Sequence, residues 1–219
     1  LNTLRLTTNI THTNNADLEI TLTSPSGTVV SIPSDHGGVN DDVFKGTLWD
    51  DKANPGGQVP YTSNNGLVTD AVTTNLVTLT PAVIEEALGA FYGENPNGTW
   101  TLRVSDDLAA NGGSLNSWSL QLGTLAAPPA FTTTTVTNAT PVVLADSPAV
   151  TTSTIGVAVP GSQIGRVRVR TFIQHTFPAD LDITLRSPTG TVVTLTTDNG
   201  GSSLNSFNGT LWDDKAEAG

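Results

Sequence analysis

Two recurring histidines, two recurring serines and three of the four pairs of adjacent aspartates are the side chains of this sequence best suited to chemistry. His12 and His175 each precede an aspartate by five positions, Asp17 and Asp180. Ser24 and Ser187 recur in the same way. Nucleophilic catalysis would need one such hydroxyl within hydrogen-bond reach of an imidazole and facing an oxyanion donor. Each serine instead opens an S-P-x-G turn, Ser24 to Gly27 and Ser187 to Gly190, in which Pro presets φ and Gly supplies positive φ. The histidines therefore read as imidazoles bonded across neighbouring strands, and no residue is assigned a catalytic role. His36 gives way to Asn199 at the equivalent position, so nothing demands imidazole there. Three scattered histidines without cysteine give no zinc-ligand spacing.

The carboxylates say more. Asp50 and Asp51, and again Asp213 and Asp214, stand in an identical W-D-D-K-A, while Asp106 and Asp107 end a strand-like run at a Gly/Asn-rich turn. Paired carboxylates beside free carbonyls suit Ca²⁺, a hard cation that takes about 6–8 oxygens. These six aspartates are the candidate metal ligands, with Ca²⁺ the expected cofactor. The other reading is turn and cap aspartates in ordinary salt bridges, for example to Lys52 and Lys215. Neither an EF-hand nor a nonapeptide calcium pattern is present. Arg166, Arg168 and Arg170 lie on one strand face, either as a solvated surface or as a stripe for an acidic neighbour. Trp100 and Trp118 share a phase with apolar neighbours and read as core rather than as sugar-stacking surface.

Strands must position these groups. Apolar residues alternate along Leu18-Ile20-Leu22, Leu181-Ile183-Leu185, Val167-Val169 and Leu102-Val104, the period of half-buried strands. Turns punctuate them, and Asn111-Gly112-Gly113 predicts a hairpin. One short helix is expected over Pro81 to Leu88, with Thr80 as N-cap and Gly89 closing it. Many short strands at turn-separated spacing predict an all-β sandwich.

Self-comparison gives the organisation. Residues 1–56 align without a gap on 164–219, an offset of 163, with 30 identities in 56 positions. A period that long makes each copy a whole domain rather than a solenoid turn. The expected division is 1–123 as one domain lacking its first strand region, 124–135 as a semi-rigid Pro/Thr linker, and 136–219 as a second domain lacking its C-terminal half. Both ends falling inside a repeat suggest a window on a longer tandem array.

Three segments carry a resemblance. They are I-T-H-T-N-N-A-D-L-E-I-T-L-T-S-P-S-G-T (Ile10 to Thr28), F-K-G-T-L-W-D-D-K-A (Phe44 to Ala53), and G-E-N-P-N-G-T-W-T-L-R-V-S-D-D through W-S-L-Q-L (Gly93 to Leu122). Together they resemble the P domain, or homo B domain, of proprotein convertases and of many bacterial exported proteins. The resemblance implies jelly-roll β-sandwich domains in tandem. It also implies a setting beside a subtilisin-like protease, and related jelly rolls in some subtilases hold calcium. The family's first strand would fall near Pro141 to Val150.

Composition narrows the partners. Nine Lys plus Arg face twenty Asp plus Glu, a net charge of -11, which argues against nucleic acid or an anionic membrane. Thr occurs 36 times against 13% charged residues, as suits exposed strand faces. No run approaches the length of a transmembrane helix. An acidic, Thr-rich chain without Cys or Met fits an exported prokaryotic surface protein. Two functions follow. One is a non-enzymatic extracellular module in a tandem-repeat protein or fibre, its copies meeting head to tail. The other is the accessory region of a secreted subtilisin-like protease with an upstream catalytic domain.

Overall fold

The computed structural model describes residues 1–53, 73–127, 130, 132–144, 150–159 and 163–216. Among the described residues the first copy contributes six strands: β1 (Thr3–His12), β2 (Leu18–Thr23), β3 (Val29–Ser34), β4 (Lys45–Trp49), β5 (Thr101–Asp106) and β6 (Gly113–Gly123). They form two antiparallel sheets of three, in the orders β4-β1-β6 and β3-β2-β5. Alternation decides which faces meet. Leu4, Leu6 and Ile10 of β1 and Leu18, Ile20 and Leu22 of β2 turn inward. They join Val30, Ile32, Phe44, Trp49 and Phe91 in one buried cluster between the sheets. Each such side chain stabilises the fold by about 1.5–3 kcal/mol when fully buried. The result is a two-layer β sandwich.

Two inward positions of β1 are polar and are satisfied locally. Thr8 accepts the indole N–H of fully buried Trp49 at 2.9 Å. His12 closes the same row. Trp100 and Trp118 pack on the core, as their phase predicted, and Trp100 sets its ring edge-on to Phe91 with centroids 5.1 Å apart.

The second copy repeats part of this. β7 (Val169–Phe172) pairs with β10 (Asn208–Trp212), and β8 (Ile183–Arg186) with β9 (Val192–Thr196). The offset of 163 carries the registers across: Leu6 opposite Trp49 becomes Val169 opposite Trp212, and Leu22 opposite Val30 becomes Leu185 opposite Val193. Even the register shift that leaves Asn9 opposite Lys45 returns as Phe172 opposite Asn208.

Two expectations are corrected. No α-helix forms over Pro81 to Leu88, and a 3₁₀ turn at Leu88–Phe91 follows instead. The backbone there bonds to sheet edges: Ala82 N–H donates to Leu48 O, Glu85 N–H to Ile32 O and Glu86 N–H to Ser31 O, at 2.8, 2.8 and 3.1 Å. The Thr80 hydroxyl, expected as a cap, accepts the Leu48 N–H at 3.2 Å. Nor is Asn111-Gly112-Gly113 the turn of a hairpin, because β5 and β6 belong to opposite sheets. The connection is an arch across the sandwich. Among the described residues 132–144 and 150–159 carry no strand. Pro128, Pro129 and Phe131 of the linker, and 145–149 of the segment from Pro141, lie outside the described residues.

Candidate functional site

His12 ends β1 with its side chain 3% exposed. Its Nδ1 lies 2.6 Å from the carbonyl oxygen of Asn14, and its Nε2 lies 3.2 Å from a carboxylate oxygen of Asp106 at the end of β5. The ring thereby ties one sheet to the other. Asp17 is fully buried and accepts from the side-chain amides of Asn14 at 2.6 Å and Asn111 at 2.9 Å. Neither serine is activated. The hydroxyl oxygen of Ser24 accepts the Ser26 N–H, and that of Ser187 accepts the Thr191 N–H. His175 is half-buried, with Nδ1 2.8 Å from the Phe177 carbonyl oxygen.

The six candidate aspartates go separate ways. Asp50 accepts from the Arg5 guanidinium at 2.6 Å and Asp106 faces His12. Asp213 takes a bidentate Arg166 at 2.5 and 2.6 Å and Arg168 at 2.8 Å. For Asp50 and Asp213 the pairing partners are thus arginines, not the Lys52 and Lys215 ammonium groups. Two members of the arginine stripe turn onto Asp213, while Arg170 donates to Gly209 O at 3.2 Å. Partial burial pushes the Asp213 carboxyl up, but the bonds from Arg166 and the Lys215 N–H outweigh it and hold it below the usual carboxylate range.

Asp51 has a different task. Its two oxygens accept the N–H groups of Leu88 and Gly89, each at 2.9 Å, and so fasten the 3₁₀ turn to the end of β4. Burial lifts its carboxyl from 3.8 to about 6 against the lowering pull of those bonds, and the charges of Asp214 and Asp50 raise it further. Asp214 comes from the second copy: a Cβ added at Gly89 would stand 2.7 Å from its carboxylate. Burial also raises Asp214, followed by the charge of Asp213. Next to it, the Lys215 ammonium donates to the carbonyl oxygen of Tyr92. A second meeting of the copies is a groove of about 390 Å³ between His36, Glu85 and Glu86 and the Thr194 to Asn199 stretch.

Asp107 finds company that spacing did not indicate. It joins Glu19 of β2 and Asp35 after β3, and the three carboxylates place ligand oxygens within 4.8 Å of one another on an exposed surface. One signal was readable: Glu19 and Asp35 recur as acids, Asp182 and Asp198, in the second copy. An exposed carboxylate triad is a donor set of the hardness Ca²⁺ prefers, with water free to supply its other ligands.

In this β sandwich the described histidines, serines and paired aspartates take part in strand ties, turns and ion pairs. The proprotein convertase P-domain family model matches residues 1–122 and 164–216, and the chain belongs to that family. No curated protein and no solved structure matches the chain. P-domains are non-catalytic accessory domains of secreted proteins and typically associate with a protease domain. Among the described residues no helix is long and apolar enough to cross a membrane.

Proposed function

We propose that the chain is a non-catalytic interaction module of an extracellular tandem-repeat protein, whose successive P-domain copies contact one another head to tail. The observation that carries this reading is the reach of the second W-D-D-K-A onto the first copy, with Lys215 on Tyr92 and Asp214 against Gly89. A heterologous contact of that kind does not close on itself, so repeated along an array it builds a fibre. Small-angle scattering on two complete repeats tests it. A fixed inter-copy distance is expected, and freely tumbling domains would defeat it.

Calcium belongs to the reading through Glu19, Asp35 and Asp107 rather than through Asp50, Asp51 and Asp213, whose oxygens accept from neighbouring groups. The second function, an accessory domain beside a subtilisin-like protease, is favoured by the family membership. A serine-directed covalent probe on the full-length secreted protein separates the two. Labelling outside this chain supports the protease setting, while labelling of Ser24 or Ser187 would contradict both.

A further inference from the structure

We infer that the pair Asn97 and Gly98 is a site of self-modification, where the main-chain nitrogen of Gly98 displaces the side-chain amide of Asn97. Water then leaves aspartate or isoaspartate in its place. Asn-Gly pairs begin at Asn65, Asn97, Asn111, Asn199 and Asn208. The first of these lies outside the described residues. Glycine is the successor that favours this reaction, because without a Cβ its nitrogen can approach the preceding side chain closely. What holds the two reacting groups separates the other pairs.

Asn97 and Asn111 are both exposed, so access does not distinguish them. Hydrogen bonds do. In the arch between β5 and β6 the Asn111 amide donates to buried Asp17 at 2.9 Å, and the Gly112 N–H donates to the Thr13 hydroxyl at 3.3 Å. Gly112 O in turn accepts the Thr13 N–H at 3.3 Å. Leaving group and nucleophile are both tied there. At the N-P-N-G turn the Asn97 amide donates to exposed Asn95 at 2.8 Å, a bond on the surface. The Gly98 N–H has no acceptor among the described residues. Its nitrogen is free to react. In the second copy the Asn199 amide donates to the Thr196 hydroxyl at 3.0 Å, and Asn208 lies within β10.

The chemistry balances with water alone. Base removes the Gly98 amide proton, the nitrogen attacks Cγ of Asn97, and the new C–N bond closes a cyclic succinimide. The side-chain nitrogen leaves as ammonia, taking its third hydrogen from solvent. Water then opens either of the ring's carbonyl–nitrogen bonds. One opening restores the main chain and leaves aspartate, and the other reroutes the main chain through the side chain as isoaspartate. Nothing is oxidised or reduced.

The turn makes this local event structural. The Trp100 indole N–H donates to Pro96 O at 3.0 Å across the modified position, and its ring stands edge-on to Phe91. Gly98 has φ +132°, and a Cβ there would meet the Pro25 Cβ at 2.8 Å, so this turn lies against the S-P-S-G turn. Isoaspartate inserts an extra main-chain carbon between Pro96 and Trp100 and disturbs both contacts. Either product adds a negative charge to a net charge of -11. The pair is an irreversible mark of age on one pole of the sandwich. It uses no contact between the copies and no carboxylate of the triad, so it goes beyond the proposed function and is tested apart from it.

The experiment incubates the full chain in mildly alkaline buffer, digests samples over time, and fragments the peptides so that aspartate and isoaspartate are told apart. Asn97 should convert at least about tenfold faster than Asn111, since two hydrogen bonds of ordinary net strength hold the latter pair. Isoaspartate should be the larger product. Incubation in urea should bring the two rates together, because the bonds that protect Asn111 are then broken. Asn97→Gln should stop conversion at that position, the longer side chain closing its ring slowly, and leave the Asn111 rate unchanged. Equal rates in the folded chain, Asn111 converting first, or an Asn97 that stays intact would overturn the inference. So would a difference that persists unchanged in urea, because flanking sequence rather than the fold would then set it.

Discussion

The ammonium group of Lys215 donates to the main-chain oxygen of Tyr92, 123 positions earlier in the chain. The bond joins the second W-D-D-K-A to the segment that the first W-D-D-K-A fastens through Asp51. Two copies of one motif thus converge on the Leu88–Tyr92 stretch, one holding it from within its domain and one touching it from outside.

That arrangement predicts a separation of effects. Lys215→Ala removes an exposed contact, and Gly89→Ala pushes a methyl group toward the flexible Asp214 side chain. Both should broaden the inter-copy distance distribution between spin labels placed one in each copy. Unfolding of the first copy should shift by no more than about 0.5 kcal/mol for Lys215→Ala, as for other surface substitutions. An unchanged distribution in both variants would refute the contact.

Asp51 predicts a pH dependence whose sign is unusual for an aspartate. Burial raises its carboxyl to about 6 in the fold against 3.8 for the ordinary group. The native state therefore binds this proton more tightly than the unfolded chain, and stability rises as pH falls through about 6 toward about 4. The penalty relieved is on the order of 3 kcal/mol. Asp214 is shifted the same way, while Asp213, held low by its arginines, contributes stability that is lost only at lower pH. Urea unfolding at pH 7.5 and pH 5 measures this. Asp51→Asn should flatten the profile, since the amide cannot titrate, and should cost one of the two N–H bonds to the turn. A wild-type profile no steeper than the variant's would reject the assignment.

How much was legible follows from where the bonds go. The alternation at Leu18-Ile20-Leu22 named a strand because its signal is local and its buried face is continuous. The false helix at Pro81 to Leu88 had acceptable caps, but Leu48, Ile32 and Ser31 claim its backbone groups, and those partners lie far away in sequence. The same limit hid the arch: Asn111-Gly112-Gly113 looks identical whether the following strand returns to its own sheet or crosses to the other. At the site, adjacency was misleading. Asp106 and Asp107 sit side by side yet serve His12 and the acidic triad respectively. The repeat of Glu19 as Asp182 and Asp35 as Asp198 was the better clue, because a charge kept in both copies marks a position rather than a neighbour.

The two histidines should behave unequally despite their shared motif. His12 is buried and bridges the Asn14 carbonyl to Asp106, so His12→Ala removes both ties between the sheets and opens a void. A loss of about 1–3 kcal/mol is expected. His175 is half-buried and its ring bonds only locally, to the Phe177 main chain, so His175→Ala should cost less than His12→Ala. Denaturant melts of the two variants check this, and equal losses would contradict the bridging role.

Calcium provides the last test, and the triad makes it specific. Glu19, Asp35 and Asp107 hold like charges within 4.8 Å of one another. Without a cation they repel, although exposure and salt screen the repulsion. A divalent cation that binds the folded triad alone raises the melting temperature by mass action. Added Ca²⁺ should therefore raise the melting point of the full chain relative to EDTA. Mg²⁺ should do so less, because it dehydrates reluctantly and holds to octahedral geometry. Asp107→Asn should abolish the calcium response while melting at or above the wild type in EDTA, since one repulsive charge is gone. Asp50→Ala should keep the response, because Asp50 is occupied by Arg5. Equal midpoints for the wild type with Ca²⁺ and with EDTA would remove calcium from the account. A response lost on Asp50→Ala but kept on Asp107→Asn would return the metal to the W-D-D-K-A turn.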